Sequence, residues 1–187
     1  MKTRAEIELL VGSLLLRHKV QNPPVPVKDI ATLAGLQVVF TQLSGGVSGA
    51  LLTSNGVSVI AVNESDPPNR RRFSIGHELA HYFLSHSAEQ EHLDWQFTVL
   101  RRDGKSSEAT DAHEIEANYF AASLLMPREF LRKDVAQLAR FNGEADLDDK
   151  DIKSLARRYE VSQLAMSYRL VSLGLIDPNG RELRNSD

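Results

Sequence analysis

The spacing of apolar positions changes several times along this chain, and each change predicts an element. The apolar run Leu9 to Leu16, flanked by Glu6, Glu8, Arg17 and Lys19, predicts a helix over Thr3 to Lys19. Gln21-Asn22-Pro23-Pro24-Val25-Pro26 reads as a stiff connector, because proline cannot continue a helix. Val27 to Ala34 predicts a short helix stopped by Gly35, and the β-branched and aromatic run Leu36 to Phe40 a strand. After a loop at Ser44-Gly45-Gly46, Ala50 to Thr53 and Val57 to Val62 flank Asn55-Gly56, a strong hairpin signal. Phe73, Ile75, Leu79, Ala80, Phe83 and Leu84 then give a mostly apolar helix from Pro68 to His86, with Asp66 or Asn69 as N-cap.

Trp95 to Leu100 alternates like a strand, and Asp103-Gly104-Lys105-Ser106-Ser107 reads as a turn. A helix from Ala112 to Met126 ends at Pro127, and a shorter one follows over Arg128 to Ala139 until Phe141-Asn142-Gly143 breaks it. Asp149 to Tyr159 and a helix capped by Ser162 and running to Leu173 are joined by Glu160-Val161. Gly174 closes the second of these, and Asp177-Pro178-Asn179-Gly180 is a turn. Two short helices on a tight turn resemble a helix-turn-helix. The expected fold is α+β: residues 1–140 carry a small twisted sheet packed on the Pro68–His86 helix, and residues 145–187 a helix-turn-helix-like helical region.

Composition narrows the chemistry. The 187 residues are 42% hydrophobic, enough for a real core, and a net charge of −3 argues against a general nucleic-acid-binding surface. There is no cysteine, so disulfides and thiolate metal sites are excluded and any metal must be held by histidine and carboxylate. No secretory or membrane segment is visible, which leads to the expectation of a cytoplasmic protein.

His77-Glu78-Leu79-Ala80-His81 lies within the apolar helix. Residues four apart share a helix face, so both imidazoles can reach one cation while Glu78 stands beside it, as a zinc hydrolase requires. Buried histidines without partners are costly, which favours a metal over a chance pair. A third ligand is sought on the helix Asp111 to Met126. Asp111 and Glu114 look like a capping box, which gives Glu114 a structural role at the helix start. Glu116 lies deeper and shares its face with Phe120 and Leu124, and a carboxylate there must be paired, protonated or metal-bound. Glu116 is therefore assigned as third ligand, the competing reading being an ion pair with Arg71 or Arg72. His113 is the next candidate, whereas His86 and His92 are read as surface or supporting histidines.

These residues resemble the ImmA/IrrE family of zinc metallopeptidases. Arg72 to His81 is similar to the family's motif helix, and Glu116-Ala117-Asn118-Tyr119-Phe120-Ala121-Ala122-Ser123-Leu124-Leu125-Met126-Pro127 to its second signature. The resemblance covers Val27 to Arg132 and extends more weakly into the C-terminal helices. It implies a zincin-like core, zinc held by His77, His81 and Glu116, and Glu78 as catalytic base. It also implies a helix-turn-helix repressor as substrate, from a phage, mobile element, stress regulon or toxin–antitoxin-like pair. His86 departs from the family pattern, standing one residue later than a similar histidine.

On that reading the enzyme is a site-specific zinc endopeptidase that relieves repression, and the alternative is a non-catalytic repressor-binding protein of the same fold. Tyr82, Tyr119, His113 and residues of the Ser87–Thr110 loop are candidates for stabilising an oxyanion, and the sheet edge near Ala50 to Ser54 is expected to receive substrate as an added strand. Direct DNA binding by Ile152 to Leu173 is disfavoured, because Arg157, Arg158 and Arg169 are opposed by Asp146, Asp148, Asp149 and Asp151.

Overall fold

The computed structural model describes residues 1–85, 92–95, 108–142 and 147–177. Helix α1 spans Arg4–Arg17 and begins in a capping box: the Thr3 side chain accepts from the Glu6 N–H, and Glu6 reaches back to the Thr3 N–H. Helix α2 (Val27–Leu33) leads into strand β1 (Leu36–Thr41), followed by β2 (Val47–Ser54) and β3 (Val57–Asn63). Asn55 and Gly56 both take positive φ (51° and 78°), the left-handed geometry a two-residue hairpin turn requires.

The sheet order is β1-β3-β2-β4, where β4 is His92–Trp95. β1 runs parallel to β3, and β2 is antiparallel to both β3 and β4. This corrects the expectation of an open edge at Ala50 to Ser54 for its first two residues. Ala50 and Leu51 pair with Leu93 and His92, and among the described residues Leu51 is the last of β2 paired to β4. Strand pairing across the segment after the motif helix is non-local and left no local sequence signal. β4 also begins three residues before the predicted strand Trp95–Leu100, whose remainder lies outside the described residues. So do the turn at Asp103–Ser107, Gly143, Pro178–Gly180 and His86.

Helix α3 spans Pro68–Phe83. Its N-cap position is Pro67, which has no side-chain cap, so neither Asp66 nor Asn69 takes that role. Pro68 stands at the first helical position, where a missing N–H costs nothing. Helix α4 spans Glu108–Leu125 and starts one turn before the predicted Ala112. Asp111 is thus inside the helix and not at the N-cap position that the predicted capping box requires. Helices α5 (Arg128–Asn142), α6 (Asp149–Tyr159) and α7 (Gln163–Ser172) complete the described chain. Asp148 caps α6 and Ser162 caps α7 through the Ala165 N–H.

One apolar cluster runs through the molecule, from Ile7 and Val11 of α1, through Leu51 and Ile60 of the sheet and Leu79 of α3, to Leu155, Tyr159, Met166 and Leu170 of α6 and α7. Polar ties reinforce it. The Tyr159 hydroxyl donates to Asp134 at 2.8 Å, and Arg169 meets Glu8 at 2.7 Å. Among the described residues no helix is long and apolar enough to cross a membrane.

Candidate metal centre

The site sits where α3 and α4 cross. Gly76 makes the crossing close: a Cβ there would stand 3.4 Å from the Ala121 Cβ. That contact brings the next residue, His77, against the side chains of α4.

His77, Glu78 and His81 are all buried. The two histidines, one helical turn apart, bring their Nε2 atoms to 2.9 Å. The Glu114 carboxylate closes the group, with Oε2 at 3.1 Å from His77 Nε2 and Oε1 at 3.4 Å from His81 Nε2. Two imidazole nitrogens and a carboxylate at this range need a shared cation or proton between them. The spacing suits a metal: donors at the Zn–N and Zn–O distances of a tetrahedral site lie about 3.3 Å apart. The donor set, nitrogen and oxygen without sulfur, suits zinc and its first-row neighbours. His77, His81 and Glu114 form a group that could hold a metal ion.

His77 Nδ1 lies 3.2 Å from Asn118 Oδ1. An Nδ1–H donated to that amide oxygen fixes the ring's tautomer and leaves the Nε2 lone pair for the cluster. Asn118 follows Glu114 by four residues, so both project from the same face of α4. In the sequence Asn118 stands out only as part of the second signature; its four-residue offset from Glu114 is the signal that marks it.

Glu116 is not in this cluster. It is 4% exposed and accepts from the Lys2 backbone N–H, which ties the start of α1 to α4. The premise that a buried carboxylate needs a partner holds, but α1 supplies one. The capping box was one of the reasons for preferring Glu116 to Glu114, beside its apolar face and the family resemblance, and the early start of α4 removes that one. Arg71 and Arg72 are engaged elsewhere: Arg71 lies over the Phe40 ring, and Arg72 donates to Val25 O and faces Glu160. The Tyr119 hydroxyl donates to Glu8 at 2.9 Å and that of Tyr82 to Ala34 O at 3.4 Å. His113 is half-buried on α4.

Glu78 is fully buried on α3, beside both histidines in sequence and against β2 in space. A Cβ on Gly49 of β2 would stand 3.1 Å from Glu78 Oε1. The candidate centre therefore joins three donors from two helices to a carboxylate held under the sheet.

No curated protein matches the chain. A solved structure, a Mycobacterium tuberculosis transcriptional regulator, shares the fold with a TM-score of 0.65 at 20% identity. The match covers 95% of this chain and 50% of the other, so this chain spans half of that protein. The family described as Peptidase_M78, IrrE N-terminal-like domain, matches residues 31–171, which takes in both α3 and α4 and reaches the end of α7. By that match over most of its length, the chain belongs to the IrrE N-terminal-like family, Peptidase_M78.

Proposed function

We propose that this chain is a zinc-dependent endopeptidase, with a zincin-like core, that cleaves a helix-turn-helix transcriptional repressor at a specific site and so relieves repression. The observation that carries this reading is the convergence of His77, His81 and Glu114 beside the buried Glu78. In it, His77, His81 and Glu114 hold the metal, and Glu114 replaces Glu116 as third ligand. Three protein ligands leave a position open, as in catalytic rather than structural sites. A bound zinc ion supplies Lewis acidity, which polarises a peptide carbonyl and brings water towards neutral acidity. Glu78 takes the proton from the attacking water and returns it to the leaving amine, so one carboxylate serves as base and then acid. Asn118 orients His77 throughout.

Membership of the IrrE N-terminal-like family supports a repressor as substrate, and a fold neighbour that is a transcriptional regulator accords with it. A role in direct DNA binding is further disfavoured by where the arginines point. Arg169 is buried against Glu8, and Arg158 pairs with Asp134 at 3.0 Å, which takes two of the three arginines of these helices away from phosphate. The C-terminal helices are better suited to support the core or dock a partner.

The test is Glu78→Gln. Zinc content measured by elemental analysis should stay at about one per chain, and partner binding should persist. Repressor cleavage should fall by about a hundredfold or more. A Glu78→Gln protein that relieves repression as well as the parent would make binding alone the function, the anti-repressor alternative.

A further inference from the structure

No positive φ calls for a glycine at position 49: among the described residues five glycines adopt positive φ, and Gly49 is not one of them. Its backbone is ordinary strand, paired to Val62 of β3 and Asp94 of β4. Glycine inside a strand weakens it and commonly marks a close approach of something else. Here what approaches is the Ser74–Glu78 turn of α3. A Cβ at position 49 would meet Glu78 Oε1 at 3.1 Å, Ser74 Cβ at 3.1 Å and Glu78 Cγ at 3.6 Å. Ser74 and Glu78 are one turn apart on α3, so the bare backbone of Gly49 lies across that turn. The register of β2 against β4 shifts between Val47 and Gly49, an irregularity of the kind that re-aims a strand beside a functional site.

We infer that Gly49 is a positioning residue for Glu78: the missing side chain lets β2 close over the carboxylate and fix its orientation beside the His77–His81–Glu114 cluster. The inference rests on the peptidase reading for the role of Glu78, and on the strand–helix contact for that of Gly49. A methyl group at 49 must displace the carboxylate by a few tenths of an ångström, since the other wall is the Cβ of a helix residue. Such displacements matter because catalytic groups must be held within about 0.5 Å of their working geometry.

The test is a double-mutant cycle on the zinc-loaded full chain with Gly49→Ala, Glu78→Ala and both. It is read by the urea unfolding midpoint and by cleavage of a quenched peptide selected by the parent from a random-sequence pool. Gly49→Ala should keep its zinc and lower the midpoint. With Glu78 truncated, that loss should shrink measurably, because the Oε1 and Cγ contacts are gone and only the Ser74 Cβ contact remains. In cleavage, Gly49→Ala should lower kcat by about tenfold or more with KM within about twofold, as expected when a reacting group is misplaced and substrate binding is untouched. Equal midpoint losses in both backgrounds, or an unchanged kcat in a cleaving protein, would overturn the role of Gly49 alone. A parent that cleaves no peptide of the pool would overturn the peptidase reading, and this role with it.

Discussion

Glu114 and Glu116 are two residues apart, yet about 200° apart around their helix, so only one can face α3. The separation gives them opposite work. Glu114 meets two imidazole nitrogens, while Glu116 receives the Lys2 backbone N–H at the far side of α4. Substituting each by alanine therefore separates ligand from strut. Glu114→Ala should lose the bound zinc in elemental analysis, since two histidines alone do not retain it against dialysis. Glu116→Ala should keep its zinc and lose about 1–3 kcal/mol of stability, the usual cost of orphaning a buried donor. Zinc retained in the first variant and lost in the second would restore the original assignment. The shared face of His77 and His81 was legible in the sequence because a four-residue step on a helix is a local, rigid rule. The third donor was not, since choosing between two nearby glutamates required knowing where α4 begins.

At the level of elements, the same contrast explains what could be read and what could not. The Asn55-Gly56 hairpin and the Ser162 cap were legible because each is decided by its own few residues. The start of α3 was misread: proline at the first helical position replaced a side-chain cap, and Asp66 instead lies 4.0 Å from Arg70 one turn on. The covering of β2 by β4 could not be read at all, because it joins segments some forty residues apart. Helix packing left one quiet sign, Gly76 in the middle of an otherwise bulky stretch. Its neighbour Ala121 sets a sharp size limit. Gly76→Ala places a methyl in ordinary contact at 3.4 Å and should be neutral or slightly stabilising, since alanine favours helix. Gly76→Leu should force α3 from α4, cost about 1–3 kcal/mol by thermal unfolding, and weaken zinc affinity, because His77 and Glu114 sit on opposite sides of that contact. A leucine variant with parental zinc affinity would show that the metal group does not depend on this crossing.

Across the whole molecule, the two ends of the described chain meet at one buried charge pair. Arg169 of α7 donates to Glu8 of α1 at 2.7 Å and to Met126 O after α4, and the Tyr119 and Ser123 hydroxyls of α4 also donate to Glu8. Three helices far apart in sequence, among them the α4 that carries Glu114 and Asn118, are thus clamped around the Glu8 carboxylate of α1. Burial pushes the Glu8 carboxyl up, but the charge and hydrogen bond of Arg169, the Tyr119 hydroxyl and the charge of Arg128 outweigh it. They hold Glu8 below its ordinary value of 4.5. A carboxyl whose folded pKa is depressed contributes stability that is fully present above the unfolded pKa and is lost as pH falls through the folded one. The clamp should accordingly be intact at neutral pH and release only below about pH 4.5, the unfolded value. Glu8→Gln removes the titrating group and leaves Arg169 buried without its counter-charge. Breaking one side of such a pair costs about 3 kcal/mol, or about 6–12 °C in Tm for a chain of this size. The deficit should be largest at pH 7 and narrow steadily below pH 4.5, as the parent loses the same interaction by protonation. Thermal unfolding of both proteins from pH 3 to pH 8 checks this. A deficit of constant size across that range would mean that Glu8 acts through packing and that its charge plays no part in joining α7 to the helix bearing the metal ligands.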